Sequence, residues 1–184
     1  MGSWERVRSL VAESDFWTEF VHREELKSTS SYLRKKDELP VGTVVLAERQ
    51  TSGRGRGTAR WYSPEGGLWF SCKLSDSFEK SAQQFYVEAL KLLRDLLADY
   101  GVETEISRPN DLVVEGKKLA GILIEEHDGE YIVGFGLNVN NDLSVIPEKV
   151  GENSVTLKEI TGGEVDRDEL LSEFLTRFEG MFNG

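Results

Sequence analysis

The chain concentrates arginine and glycine in one short stretch, "QTSGRGRGTARW", which runs from Gln50 to Trp61. Glycine accepts positive φ, so that successive backbone N–H groups can line an anion-binding concavity, and arginine presents a planar charged fork to phosphate or carboxylate. The stretch lacks the GxxxxGK[ST] pattern of a P-loop, and a strand rather than a helix follows it, unlike in a dinucleotide-binding motif. It therefore favours binding of a phosphate or carboxyl group, with a solvated hairpin loop as the alternative.

A second polar stretch, "RPNDL", places Asn110 and Asp111 directly after Pro109, at the start of a strand. A carboxylate beside an amide suits a magnesium ion or a ribose contact. Because Pro-Asn-Asp is also an ordinary turn sequence, a purely structural role stays open.

Two lysines follow a tight turn in "GKKLAGIL" and lead into an apolar strand. Side chains alternate across a strand, so Lys117 and Lys118 are expected on opposite faces. A lysine that faces a pocket can stabilise charge developing on a phosphate or carbonyl oxygen. Two solvated lysines beside a turn are the alternative.

The composition excludes several classes of protein. The 184 residues suit one domain, no apolar run is long enough for a membrane span, and the N-terminus lacks the apolar core of a signal peptide. Cys72 is the single cysteine, which excludes an intrachain disulfide and favours a cytoplasmic protein, and His22 and His127 are too isolated for a zinc site. Asp and Glu outnumber Lys and Arg by 33 to 22, so we expect no nucleic-acid partner, and the lack of a long apolar run predicts no membrane partner.

The elements that must position these residues follow from the hydrophobic periods. A hydrophobic period of 3.6 residues predicts helices over the first fourteen residues, over residues 81–100 and over "DRDELLSEFLTRFEGMF". Asp166 can cap the last of these, and Ser28 or Thr29 can cap a further helix in "STSSYLRKK". A period of two predicts strands in "GTVVLAERQ", "GGLWFSCKL", "VETEIS", "DLVVEGKKLAGILIEE" and "GEYIVGFGLNVN", with turns at Glu115–Gly116 and Asp128–Gly129. We expect one α+β domain over residues 1–184, with a mixed, largely antiparallel β-sheet packed with helices.

Four stretches, in this order, resemble the catalytic domain of biotin–protein ligases. They are "KSTSSYL", "AERQTSGRGRGTARWYSPEGGLWFS", "RPNDLVVEGKKLAGILIEE" and "VGFGLNVN", and the resemblance spans Leu26 to Phe182. It implies the class II aminoacyl-tRNA synthetase-like fold of biotin and lipoate ligases. It also implies that the biotin carboxylate attacks the α-phosphate of ATP, with Mg²⁺, to give biotinyl-5'-AMP. A lysine of a biotin carboxyl carrier domain then attacks this anhydride.

The resemblance implies roles for individual residues, carried over by position. Residues expected to contact biotin are Ser28, Thr29 and Gln50 at its ureido ring, Gly53 and Arg54 in the closing loop, and Gly121 where the backbone approaches the ligand. Residues expected to contact the nucleotide are Arg56, Trp61, Asn110, Lys118 and Asn138. Lys118, Arg54 and Arg56 are the expected catalytic residues, and Asp111 is the expected Mg²⁺ ligand.

The sequence also departs from the family pattern. Gly57–Ala59 replaces a second glycine–arginine pair, Ser107–Arg108 replaces a Lys-Trp pair, and Ser30 replaces a common asparagine. The first change removes positive charge from the loop and predicts weaker retention of the adenylate. The second predicts a change in the affinity for the nucleotide. We expect neither a winged-helix domain before the catalytic domain nor a small SH3-like β-barrel after it.

Two alternatives to a biotin–protein ligase stay open. A lipoate or octanoate ligase or transferase shares the fold, although Gln50 and Ser28 favour a ureido ring. A ligase-like module that binds biotin without efficient transfer is the other alternative. The expected partners of the ligase are biotin, ATP and a biotin carboxyl carrier protein, and a homodimer is compatible with the resemblance.

Overall fold

The computed structural model describes residues 4–75, 82–107 and 109–182. Within these ranges the α-helices are α1 (Glu5–Glu13), α2 (Thr29–Leu33), α3 (Ala82–Asp99), α4 (Glu148–Glu152), α5 (Leu157–Thr161) and α6 (Arg167–Gly180). The strands are β1 (Glu19–Leu26), β2 (Thr43–Arg54), β3 (Arg60–Ser63), β4 (Leu68–Ser75), β5 (Glu105–Ser107), β6 (Asp111–Val114), β7 (Lys117–His127) and β8 (Glu130–Leu137). A 3-10 turn spans Leu143–Val145.

The strands form one sheet in the order β1-β2-β4-β8-β7-β6-β5, and β3 pairs with β2 beside this path. The pairing of β1 with β2 is parallel, and the other pairings are antiparallel. The two predicted turns connect β6 to β7 and β7 to β8, and all four of their residues have positive φ, as type I′ hairpin turns require. The expected mixed, largely antiparallel sheet is confirmed.

The helix ends follow the capping residues of the sequence. Ser28 caps α2 by accepting a hydrogen bond from Ser31 N, and Asp166 caps α6 by accepting from the backbone of Asp168 and Glu169. The helix predicted over residues 81–100 appears as α3, and Gly101 follows it at φ +74°. Among the described residues, no helix is both long and apolar enough to cross a lipid bilayer.

The main core lies on one face of the sheet, under α3 and α6. Strand alternation sends Phe70 of β4 and Phe135 of β8 to this face, where their rings stack at a centroid separation of 4.9 Å. Both rings then meet Phe174 of α6 at 5.4 and 4.8 Å. The residues that alternate with them, including Ser71 and Gly134, therefore face the opposite side of the sheet.

A small apolar cluster holds α2 on that opposite side. Leu33 of α2 is buried against Val21, Val45 and Ile132, which project from β1, β2 and β8. Because this cluster fixes the C-terminal end of the short helix, the residues at its N-terminal end lie over β4 and β8. The cluster thus determines where Ser28 and its neighbours meet the sheet.

Glu48 of β2 ties together three other elements. One carboxylate oxygen accepts hydrogen bonds from Trp4 Nε1 at 2.9 Å and contacts His22 Nε2 at 2.8 Å. The other meets Arg167 at 2.9 Å. Burial alone would raise the pKa of this carboxyl, but the Trp4 hydrogen bond and the Arg167 charge outweigh it, so that the pKa lies below its ordinary value.

We expect Glu48→Gln to lower the free energy of unfolding by about 1–3 kcal/mol at pH 7, because charged hydrogen bonds are lost. Because the pKa of the Glu48 carboxyl is lower in the folded than in the unfolded state, the ionised carboxylate stabilises the fold at pH values above the unfolded-state pKa. This stabilisation is lost as the pH falls through the folded-state pKa. The difference from wild type should therefore shrink between pH 7 and pH 4 in urea unfolding. Glu24→Gln, an exposed change on β1, is the control. An equal difference at both pH values would contradict the role of the ionised carboxylate.

Candidate functional site

A groove opens on the sheet face opposite the main core, because three glycines lie there side by side. Gly121 of β7 and Gly136 of β8 are pairing partners, and Gly134 alternates with Phe135 on the same side as Gly136. We call this surface the glycine groove. Together with α2 and the end of β2 it encloses a cavity of about 240 Å³.

Hydroxyl and amide groups crowd one end of the glycine groove. Thr29 Oγ1 lies 2.7 Å from Ser71 Oγ, and Ser30 Oγ lies 3.1 Å from the same oxygen. Gln50 Oε1 accepts from Thr29 N at 2.8 Å, and Gln50 Nε2 donates to Ser63 Oγ at 2.8 Å. We call these five residues the hydroxyl cluster.

The hydroxyl cluster includes two residues that sequence reasoning missed. Ser71 is a polar residue inside the buried strand β4, and this departure from its apolar neighbours was the available signal. Ser63 ends β3, a strand that the sequence analysis did not predict. The expected contact Ser28 lines the cavity, but its hydroxyl already accepts from Ser31 N at 3.3 Å.

The indole of Trp61 packs directly against the pair of glycines in the middle of the groove. A Cβ atom built at Gly136 would lie 2.6 Å from Trp61 Nε1, and one at Gly121 would lie 2.8 Å from Trp61 Cζ3. The Nζ atom of Lys118 lies 4.8 Å from the indole centroid, a cation–π distance. Any side chain at these glycines would therefore displace the indole.

Lys118 reaches this place because β7 contains a bulge. Leu112 pairs with Ala120, whereas Val113 pairs with Lys118, so β7 has one more residue than β6 at this point. Simple alternation would send Lys118 to the same face as Ala120, which belongs to the main core. The bulge turns Lys118 towards the groove instead. Lys117 is exposed, and Lys118 is the lysine that lines the cavity.

Asp111 forms an ion pair with Lys118 at 2.9 Å through its Oδ2 atom. Its Oδ1 atom is buried and has no hydrogen-bond partner among the described residues. The buried Nε1–H group of Trp61 likewise lacks a partner within the described part of the chain. Buried polar groups are normally hydrogen-bonded, so a free acceptor and a free donor at one place indicate a polar ligand.

The arginine loop, which we define as residues 53–60, connects β2 to β3 as a hairpin. Gly55 N donates to Ala59 O at 2.9 Å, and Ala59 N donates to Arg56 O at 3.0 Å. Gly53 is buried against Trp61 O and Ser63 Oγ, so a larger residue would separate the two strands. Arg54, Gly55, Arg56 and Ala59 also line the cavity, so the loop borders the mouth of the glycine groove, and the replaced positions 57–59 form its tip.

The two expected loop cations have different surroundings. Arg54 donates from both terminal nitrogens to the Glu125 carboxylate, at 2.8 and 2.7 Å. Arg56 is exposed, lines the cavity, and makes no side-chain hydrogen bond or ion pair with any described residue. Arg56 is thus the loop cation that is free to meet an anion.

Two expected nucleotide contacts hold the backbone of the site. Asn110 Nδ2 donates to Ile122 O at 2.8 Å, and Asn138 Nδ2 donates to Lys118 O at 3.3 Å. Asn141 donates to the other amide atom of Asn138 at 3.2 Å. These contacts neither support nor contradict nucleotide binding by Asn110 and Asn138, so that role stays a prediction. Arg108, whose replacement of a family tryptophan bears on nucleotide affinity, lies outside the described residues.

The structure brings His127 next to two carboxylates, which the sequence analysis did not predict. Potential ligand atoms of Asp37, His127 and Asp128 lie within 4.8 Å of one another. Both carboxylates are exposed, and the imidazole already lies 3.1 Å from Arg34 O. This group lies apart from the residues that line the glycine groove.

Comparisons with known proteins agree with this architecture. The family model described as "Biotin/lipoate A/B protein ligase family" matches residues 23–151. The bifunctional ligase/repressor BirA of Bacillus spizizenii is 34% identical over 151 residues, covering 78% of this chain and 46% of that protein. The biotin--[acetyl-CoA-carboxylase] ligase of Mycobacterium tuberculosis is 30% identical, covering 75% of this chain and 53% of that protein. The chain spans about half the length of the curated relatives it matches.

Solved structures show the same fold. The biotin protein ligase of Aquifex aeolicus in complex with biotin and ATP superposes with a TM-score of 0.82 at 33% identity, covering 89% of this chain and 70% of that one. A bi-partite lipoate protein ligase from Thermoplasma acidophilum superposes with a TM-score of 0.64 at 16% identity, which is a likeness of fold alone. The expected α+β fold of biotin and lipoate ligases is therefore confirmed.

Proposed function

Because the chain belongs to the biotin/lipoate A/B protein ligase family, we propose that it is an ATP-dependent biotin–protein ligase. In the first step, a carboxylate oxygen of biotin bonds to the α-phosphorus of ATP. The bond from that phosphorus to the bridging oxygen of the β-phosphate breaks, and pyrophosphate leaves. In the second step, the neutral amine of a carrier lysine attacks the carbonyl carbon of biotinyl-5'-AMP. AMP leaves, and the amine loses a proton as the amide forms.

The two chemically different ends of the glycine groove are the observation that carries this proposal. A urea ring offers two N–H donors and one carbonyl acceptor, and the hydroxyl cluster supplies amide and hydroxyl groups that can both accept and donate. Thr29, Ser30 and Ser71 are all buried, so an apolar ring here would leave their remaining hydrogen-bonding capacity unused. The hydroxyl cluster therefore favours biotin over lipoate.

The other end of the groove suits the reacting carboxylate and phosphate. Lys118 is held in place by the Asp111 ion pair and by the face of Trp61. A fixed ammonium group stabilises charge on the transferring phosphoryl group without reorganising during the reaction. Arg56 at the mouth of the groove supplies a second positive charge, unpaired with any described residue, for the phosphates.

The donor set near Lys118 also fits a magnesium ion carried by ATP. Mg²⁺ is commonly held by one or two carboxylates together with substrate phosphates, and Asp111 is the carboxylate among the described residues that line the cavity. Its buried Oδ1 atom, which lacks a protein partner, would be the ligand atom. When bound, the ion would offset the negative charge of the phosphates.

Pyrophosphate release is the experiment that tests the proposal. The protein is incubated with Mg-ATP and with biotin, lipoate or neither acid. We expect release with biotin alone and label transfer from biotin to an added biotin carboxyl carrier domain. Release with lipoate alone would replace the proposal by a lipoate ligase. Biotin binding without pyrophosphate release would replace it by a biotin-binding module.

The proposal also includes two features of the whole protein. We place it in the cytoplasm, where carrier domains and ATP meet. We also include a homodimer joined at an edge of the sheet, where β1 is the outermost strand among the residues that the structure describes. Sedimentation equilibrium at two protein concentrations measures the mass of the particle. A monomer at both concentrations would contradict the dimer.

A further inference from the structure

Glu125 of β7 joins two parts of the molecule that are distant in sequence. Its carboxylate accepts hydrogen bonds from both terminal nitrogens of Arg54, at 2.8 and 2.7 Å. A carboxylate oxygen also lies 3.6 Å from a terminal nitrogen of Arg34, at the end of α2. The Glu125 side chain is only 19% exposed. A bidentate pair of this kind is directional as well as charged, so it restrains the arginine more than a single surface ion pair does.

The position of Glu125 on β7 explains what the pair does. Side chains alternate, so Glu125 projects on the same face as Leu123 and Gly121, both of which line the cavity. Its pairing partner is Ile132, which belongs to the apolar cluster under α2. Arg54 must therefore extend from the end of β2 towards the α2 side of the glycine groove.

The charges around Glu125 also fit a structural ion pair that fixes the loop rather than an anion-binding site. Glu125 faces two cations, Arg54 and Arg34, and its carboxylate offsets the charge of Arg54. Arg56, two residues further along the arginine loop, keeps its charge uncompensated by any described residue. The third arginine of the loop, Arg60, donates to Thr51 O at 2.8 Å. Of the three, Arg54 is bound to a carboxylate and Arg56 is the one with no side-chain hydrogen bond or ion pair to a described residue.

We propose that Glu125 is a positioning residue that holds the arginine loop closed over the glycine groove. It acts through Arg54, and its contact with Arg34 ties the loop to α2, the helix that carries Thr29 and Ser30. If the proposed function holds, the Glu125–Arg54 pair slows the escape of biotinyl-5'-AMP between the two steps of the reaction. The restraint on the loop exists in the ligand-free protein as well.

Limited trypsin digestion of the ligand-free protein tests the tie directly. The bond after Arg56 lies at the tip of the loop, and its cleavage reports how often the loop opens. We expect Glu125→Gln to speed this cleavage about tenfold, the size expected when partly buried charge-assisted bonds are lost. Glu126→Gln is the matched control, because the adjacent Glu126 makes the same charge change on the other face and is exposed.

Arg54→Gln breaks the same pair from the loop side. We expect it to speed cleavage after Arg56 as much as Glu125→Gln does, and we expect the double variant to be no faster than either single variant. If the two effects multiply instead, Arg54 and Glu125 act separately and the proposal is wrong. Cleavage of Glu125→Gln at the rate of Glu126→Gln would overturn it as well.

A second readout separates this inference from the proposed function. The lifetime of biotinyl-5'-AMP on the protein is measured after rapid removal of free ligands, with melting temperature as a check of the fold. We expect about tenfold faster loss of adenylate in Glu125→Gln, with a smaller change in the single-turnover rate of pyrophosphate release. An adenylate lifetime equal to wild type would overturn the retention role. If the wild-type protein makes no adenylate, the proposed function fails, whereas the digestion rates still decide whether the tie exists.

Discussion

Lys118→Ala is expected to slow pyrophosphate release by about 100- to 1,000-fold, on the scale of losing one preorganised donor to a transition state. The physical reason is that the ammonium group is fixed before the substrates arrive. Asp111 holds it at 2.9 Å and Trp61 lies under it, so no reorganisation is needed when charge develops on the phosphoryl oxygens. The loss should appear in the rate of the chemical step more than in the affinity for biotin.

Lys117→Ala is the matched control for this prediction. It removes the same charge one residue earlier, from an exposed side chain that does not line the cavity. Single-turnover pyrophosphate release, measured beside circular dichroism, should distinguish the two variants. A folded Lys118→Ala protein that reacts as fast as Lys117→Ala would remove Lys118 from the mechanism.

Gly136→Ala is expected to weaken biotin binding by about 10- to 100-fold, because overpacking a fitted contact costs about 1–3 kcal/mol. The new Cβ atom would lie 2.6 Å from Nε1 and 2.7 Å from Cζ2 of Trp61. Real Cβ atoms do not approach other atoms so closely, so the indole must move away from the sheet. Both the floor of the glycine groove and the support of Lys118 would change.

Isothermal titration with biotin measures this effect. Gly163→Ala is the control, because a Cβ atom at Gly163 meets nothing within 4 Å and the backbone there is not left-handed. Trp61→Phe in the Gly136→Ala background should restore part of the affinity, since the smaller ring lacks the crowded atoms. Unchanged affinity in Gly136→Ala would show that the indole does not form the floor on which the ligand lies.

Local features of the sequence predicted most of the secondary structure. The glycines after α3 and in the two hairpin turns mark chain reversals, and Ser28 and Asp166 cap the helices that begin after them. These predictions hold because caps and turns depend on neighbours a few residues away. The sequence analysis missed β3, since its four residues form a strand only by pairing with β2.

The motifs also located the site, although they did not arrange it. The arginine loop, the Asn110–Asp111 pair and the Lys117–Lys118 pair were singled out from residue type and spacing, and the resemblance selected Lys118 from its pair. The structure brings residues of all three stretches, including Lys118, to one cavity. It also gives several of them partners within the protein, which spacing along the chain does not reveal. Asn110 holds the backbone of β7, and Arg54 is bound to Glu125.

The sequence by itself indicated the kinds of elements and the residues able to bind an anion, because these depend on composition, period and short motifs. The family came from the resemblance of four motifs, in order, to biotin–protein ligases. Only the tertiary structure decided which side chains work together. A bulge in β7 turns Lys118 from the core face to the groove, and the register of β7 with β8 puts Gly121 beside Gly136 so that Trp61 can lie on both. Arg54 and Glu125, 71 residues apart, meet for the same reason. Strand register and bulges depend on pairings between distant segments, and no local pattern in either segment encodes the partner.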